Sequence, residues 1–112
     1  MTRDEIMACT DGRVLDREWG KLTGLNKHIA RHWKHCPEYH KSLDLIHKEE
    51  EWLFGRKEKG EYLWERTKIL FTDNLNLILE EQLDRRPLMA DLVHADAMTR
   101  LKALILTMKE DR

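Results

Sequence analysis

The run Asp16 to His35, D-R-E-W-G-K-L-T-G-L-N-K-H-I-A-R-H-W-K-H, constrains the fold more than any other part of the chain. Its glycines are four apart and its large apolar residues fall at helical spacing on either side of them, which predicts two short helices joined by a tight turn. Trp19 and Gly20 face inward from the first helix, with Gly20 expected where the two helices cross. Gly24 supplies the positive φ of the turn, and Leu25 fills the space beneath it. The second helix starts at Asn26, a favoured N-cap residue. It buries Ile29, Ala30 and Trp33 and turns Asn26, Lys27, His28, Arg31, His32 and His35 outward. This is the pattern of a helix-turn-helix.

The remainder of the chain also reads as helix. Thr2 followed by Glu5 is a capping-box spacing and predicts a first helix from Arg3 to about Thr10, stopped at Asp11-Gly12, with Ile6, Met7 and Cys9 buried. The next helices are expected over about Val14 to Leu22 and Lys27 to His35. Cys36-Pro37 then acts as both a stop and a start, because proline disfavours helix in the residue before it and is comfortable in a first turn. A fourth helix is expected from Glu38 to about Phe54, with Tyr39, Leu43, Ile46, Glu50 and Leu53 near helical spacing and Leu45 and Trp52 widening the stripe. The glycine-bracketed, charged segment 55–60 reads as a solvated connection.

Beyond it, a fifth helix is expected from Glu61 to about Leu83. Trp64, Phe71, Leu75, Ile78 and Leu79 share one of its faces, and Leu63, Leu70 and Leu77 a neighbouring one. Asp84-Arg85-Arg86-Pro87 breaks it. A last helix follows from about Leu88 to Met108, its stripe formed by Ala90, Val93, Ala97, Leu101, Leu104 and Met108. The expected fold is therefore all-α, with an N-terminal helix-turn-helix head over residues 1–54 and a long helical hairpin over residues 61–112. The hairpin has more apolar circumference than one small core needs, so a homo-oligomer is expected.

Charge is unevenly placed, although the net charge of the 112 residues is only −1. Residues 1–12 carry one Arg against three acids, residues 13–48 eight Lys or Arg against four acids, and residues 49–112 eleven bases against fourteen acids. Five of the six histidines lie in the basic stretch. A basic head and an acidic tail suit a DNA contact at one end and a protein contact at the other. The candidate contacts to double-stranded DNA are Asn26, Lys27, His28, Arg31, His32, Lys34 and His35. Lys27 and Arg31 suit phosphates or guanine edges, and Asn26, His28 and His32 suit bases or backbone.

The segment I-A-R-H-W-K-H-C-P-E-Y-H-K-S-L resembles the recognition helix and exit of the small terminase subunits of tailed phages. There, a tryptophan ending the helix is followed by a short acidic and aromatic element and then a long helix; Trp33, then Pro37, Glu38 and Tyr39, then Leu43 match that order. The likeness covers roughly residues 13–54. It implies a head that engages viral DNA for genome packaging, a helical hairpin that builds a ring-like homo-oligomer, and contact with a large motor subunit. Similar tryptophan-ended helices occur in transposase and phage-regulator heads, so a transcriptional or transposition regulator is the alternative, with a helical protein-interaction module that binds no DNA as another.

Other chemistries have weaker support. His28, His32, His35, Cys36, His40 and His47 are the raw material of a zinc site, but no C-x-x-C pair exists and basic histidines equally suit phosphates, so no metal or other cofactor is expected. Glu49, Glu50 and Glu51 read as a solvated acidic face. No Ser-His-Asp pattern, Gly-rich phosphate loop or activated cysteine is visible, so the chain is expected to be non-enzymatic. Trp19, Trp33, Trp52 and Trp64 are all expected in the core. Two cysteines make no disulfide framework, no signal peptide is apparent and no apolar run approaches the roughly 20 residues that cross a bilayer. A cytoplasmic location is expected, in the host cell if the chain is phage-encoded, with no membrane partner.

Overall fold

Thr2 and Glu5 start the first helix through the reciprocal bonds their spacing implies. The Glu5 amide donates to Thr2 Oγ1 at 3.2 Å and the Thr2 amide donates to Glu5 Oε1 at 3.1 Å. The computed structural model describes residues 1–23, 36–58, 61–62 and 64–110. In chain order these give α1 (Arg3–Ala8), α2 (Gly12–Thr23), a 3₁₀ turn (Tyr39–Lys41), α3 (Leu43–Phe54), a two-residue antiparallel ladder pairing Lys57–Glu58 with Glu61–Tyr62, α4 (Trp64–Leu83), α5 (Met89–Val93) and α6 (Ala97–Glu110). Apart from that minimal ladder the described chain is all helical. The helix expected over residues 27–35 lies outside the described residues.

Three boundaries differ from expectation, each for a local reason. Gly12 does not end a helix but opens α2, because Asp11 Oδ1 accepts from the Arg13 amide at 3.0 Å and so caps the new helix. The helix expected from Glu38 is instead a 3₁₀ turn followed by a fresh start at Ser42, whose Oγ accepts from the Leu45 amide at 3.3 Å. Leu43 thereby falls at the exposed first turn of α3, away from the core stripe on which it was expected. The last helix is interrupted at residues 94–96, where Asp96 Oδ1 accepts from the Thr99 amide at 2.8 Å and begins α6. The break leaves Ala90 and Val93 exposed on α5, outside the stripe that Ala97, Leu101, Leu104 and Met108 continue.

The Asp84 break behaves as its sequence suggests. Asp84 adopts φ 53°, a left-handed conformation that Asp tolerates better than most residues, and ends α4. Asp91 then opens α5, accepting from the Leu88 amide at 2.8 Å and from Arg85 Nη1 at 2.9 Å. The Arg85 guanidinium holds the Asp91 carboxyl below the usual carboxylate range.

α6 is the element around which the rest is assembled. Thr99 and every residue from Leu101 to Met108 are buried, so this helix is enclosed on all sides rather than along one stripe. It packs against α1, α2, the 3₁₀ turn, α3 and α4. Against α4 it runs antiparallel, with Asn74 Nδ2 donating to Thr107 Oγ1 at 3.1 Å and Gln82 Nε2 donating to Thr99 Oγ1 at 3.2 Å. Its buried Lys102 reaches Met7 O at 2.9 Å, satisfying a carbonyl at the end of α1. Arg100 donates to Glu50 Oε1 of α3 at 2.8 Å and to Leu92 O of α5 at 2.9 Å. Ile6, Leu15 and Trp19 from the expected head join Phe71, Leu75, Leu101 and Leu104 from the expected hairpin in one hydrophobic cluster.

This arrangement changes what substitutions at the hairpin test. Leu101 and Leu104 are fully buried inside the chain, not on a face awaiting a partner copy. Leu104→Ala should lower the unfolding free energy by about 2–5 kcal/mol, whereas Ile69→Ala, at a position 61% exposed, should change it by no more than about 0.5 kcal/mol. Urea unfolding measured by circular dichroism checks both. Equal effects at the two sites would refute the placement of α6 at the centre.

Candidate nucleic-acid interface

All seven candidate contacts, Asn26, Lys27, His28, Arg31, His32, Lys34 and His35, lie outside the described residues, as does Trp33. The sequence between the described ends is G-L-N-K-H-I-A-R-H-W-K-H, with three Lys or Arg, three His and no acid. The structure describes where this stretch leaves and where it returns. It leaves at Thr23, whose hydroxyl donates to Trp19 O at 3.0 Å in the last turn of α2. It returns at Cys36, whose carbonyl accepts from Arg13 Nη1 at 2.9 Å. Both ends of the cationic stretch are thus tied to the same helix.

The return is fixed by a buried carboxylate that the sequence reading did not single out. Asp16 is fully buried on the inward side of α2, between Leu15 and Trp19. Its Oδ1 accepts from the His40 amide at 2.9 Å. Its Oδ2 contacts His40 Nδ1 at 2.6 Å and accepts from Arg13 Nη1 at 3.2 Å. The same Arg13 nitrogen therefore serves Asp16 and the Cys36 carbonyl. Gly12 completes the arrangement, because a Cβ there would fall on the His40 ring. At Gly20 the nearest neighbour among the described residues is Cys36 Sγ, 3.8 Å from a Cβ built there, and the helix expected to cross at this point lies outside the described residues.

Burial is the largest influence on Asp16 and pushes its carboxyl up, against the opposing pull of the His40 amide, the His40 ring and Arg13. Burial also pushes the Cys36 thiol up, so it is held as a thiol rather than activated as a thiolate. Tyr39, buried beside Cys36 and His40 in the chain, has its phenol pushed up by burial and by Glu49. The pair of Asp16 and His40 has the geometry that orients an imidazole, but among the described residues no hydroxyl or thiol is hydrogen-bonded to that ring. What it does here is tie the residues after the cationic stretch to α2.

The rival sites look different once the side chains are placed. Among the described residues no group of three His, Cys, Asp or Glu is arranged to hold a metal. Of the histidine cluster's described members, His40 faces Asp16 and His47 Nδ1 lies 3.1 Å from Glu50 Oε2. Glu50 is not part of a solvated face as expected; it is 8% exposed and pairs with Arg100, because α3 turns that position toward α6. Nor are all the tryptophans core. Trp19 is fully buried, but Trp52 is 43% and Trp64 46% exposed. Trp52 lies edge-on to Trp19 with Arg56 over its ring, and Trp64 lies edge-on to Phe54 with Lys68 over its ring. Both sit at the rim, where one side of the ring packs and the other meets a cation. An open groove of about 410 Å³ between Phe54, Phe71, Leu75 and α5 is mostly apolar, and the Glu50–Arg100 pair at its edge is already mutually satisfied.

Gly12→Ala tests the fit of the His40 ring. Alanine is favoured over glycine within a helix by up to about 1 kcal/mol, yet here the added methyl should destabilise by about 1–3 kcal/mol because the ring is held by Asp16 and cannot yield freely. In a His40→Ala background the same change should become neutral or stabilising. Thermal unfolding of the four proteins measures the reversal, and an identical effect in both backgrounds would rule out the contact.

No protein-family model matches the chain, and no curated protein or solved structure matches it significantly.

Proposed function

We propose that this chain binds double-stranded DNA through the stretch 24–35 and that it serves, as a homo-oligomer, in selecting viral DNA for packaging in the manner of a small terminase subunit. The observation that carries the DNA-binding reading is the pairing of an acid-free run, bearing Lys27, Arg31 and Lys34 with His28, His32 and His35, with anchors at both of its ends on α2. A run of this charge with no acid in it is locally cationic, and both of its ends adjoin one helix. Non-specific affinity for a phosphate backbone needs little more. The burial of Leu15 and Trp19 on α2 supports reading α2 as the first helix of a helix-turn-helix.

The packaging role rests on the likeness of residues 13–54 to small terminase subunits, and the oligomer on the apolar surface left over after folding. Since α6 is covered within the chain, a subunit contact has to use the residues that stay exposed, among them Ile69 and Leu77 on α4 and Leu88, Met89 and Val93 around α5. A regulator of transcription or transposition remains the second reading, on the same DNA-binding surface. Mass in solution separates them, since a packaging ring predicts many copies and a regulator predicts a dimer.

Lys27→Ala and Arg31→Ala test the DNA contact. The two positions are four apart, as side chains sharing one face of a helix are. Loss of a phosphate contact should weaken binding about equally on all sequences and reduce the slope of log K against log salt by roughly one unit; loss of a base contact should cost about 1–3 kcal/mol and relax specificity at one position. Fluorescence anisotropy with duplex DNA at low salt reads both. Wild-type protein that binds no duplex under those conditions, or variants that bind as the wild type does, would overturn the reading.

A further inference from the structure

We propose that Arg13, Asp16 and His40 form a latch that fixes where the cationic stretch rejoins α2, and that this latch sets DNA affinity without touching DNA. The inference rests on the DNA-binding reading of residues 24–35 and assigns positioning residues to it. Three observations point to a latch rather than to ordinary core packing. Asp16 is a fully buried carboxylate on an otherwise apolar face, and both of its oxygens are taken up by groups from residue 40. Arg13 joins that carboxylate to the Cys36 carbonyl, the first described residue after the stretch. Gly12 leaves the space that the His40 ring occupies.

The chemistry gives the latch direction. A carboxylate accepts on both oxygens, so Asp16 can hold the His40 amide and the ring nitrogen together. Burial works against its charge, as the raised carboxyl shows, so its retention there is not explained by stability alone. The groups facing Asp16 are Arg13 from its own helix and His40 from the 3₁₀ turn, with the Cys36 thiol and the Tyr39 phenol nearby. With the Arg13 guanidinium, the His40 amide and the His40 ring nitrogen all directed at one carboxyl group, the link between α2 and residues 36–40 is polar and directional. It therefore fixes a position in a way that apolar contact does not.

The test compares His40→Ala, which removes the ring donor, with His40→Asn, whose side-chain N–H takes nearly the same place as Nδ1. Two readouts are taken on the full chain: affinity for duplex DNA, and the rate of trypsin cleavage after Lys27, Arg31 and Lys34 under native conditions. His40→Ala should lose about tenfold in affinity with an unchanged salt slope, because no phosphate contact is removed, and should be cut about tenfold faster. His40→Asn should stay within about threefold of the wild type in both. If His40→Ala does not fold, Arg13→Met, which cuts the tie to Cys36 and leaves the ring in place, is read the same way. Wild-type affinity and cleavage in the Ala variant, or an Asn variant no better than Ala, would overturn the latch. If the wild type binds no DNA but cleavage follows the pattern above, the DNA reading falls and with it the effect on affinity, and only the positional role of Arg13, Asp16 and His40 stands; cleavage that does not follow it removes the latch whatever the DNA result.

Discussion

Enclosure of α6 is the constraint on which the other elements depend. Ten of its residues, Ala97, Thr99 and Leu101 to Met108, have little contact with water, and they are covered from different directions by α1, α2, α3 and α4. A helix enclosed in this way cannot form its contacts piecemeal, because removing any one neighbour exposes apolar surface worth about 25 cal/mol per Å². Its polar members are each answered locally: Lys102 by the Met7 carbonyl, Thr107 by Asn74 and by the Ala103 carbonyl, Thr99 by Gln82. These bonds also set register. The pairing of Asn74 with Thr107 and of Gln82 with Thr99 allows a single antiparallel alignment of α4 on α6.

The consequence for function is that the support for the cationic stretch reaches across the whole chain. α2 is held against α6 by Leu15 and Trp19, and the residues that follow the stretch are held against α2 by Asp16 and Arg13. A mutation near the C-terminus is thereby connected to the geometry of residues 36–40 through ordinary packing.

Local signals were legible where the relevant chemistry was local. The Thr2–Glu5 capping box, the Asp84 break and the helical faces of Phe71, Leu75, Ile78 and Leu79 all follow from spacings of three or four residues. Other features depended on distant partners. Gly12 resembles a helix stop, and only the His40 ring, 28 positions away, explains it as a gap in α2. Trp52 and Trp64 have core chemistry, but α3 and α4 set them at the rim. The last helix had a continuous apolar period across residues 94–96, which the capping preference of Asp96 interrupted. Asp16 did leave a trace: a carboxylate placed between Leu15 and Trp19 on an inward face must find partners if it is buried. Which partners it finds is not encoded nearby.

Native-state hydrogen exchange tests this account most directly. If α6 is the shared centre, amides in α2 from Leu15 to Trp19 and in α6 from Leu101 to Ile105 should exchange only through one global opening, with equal free energies and equal dependence on added denaturant. An α2 that opens at distinctly lower free energy while α6 remains protected would contradict it, and would mean that the N-terminal half folds as a unit of its own.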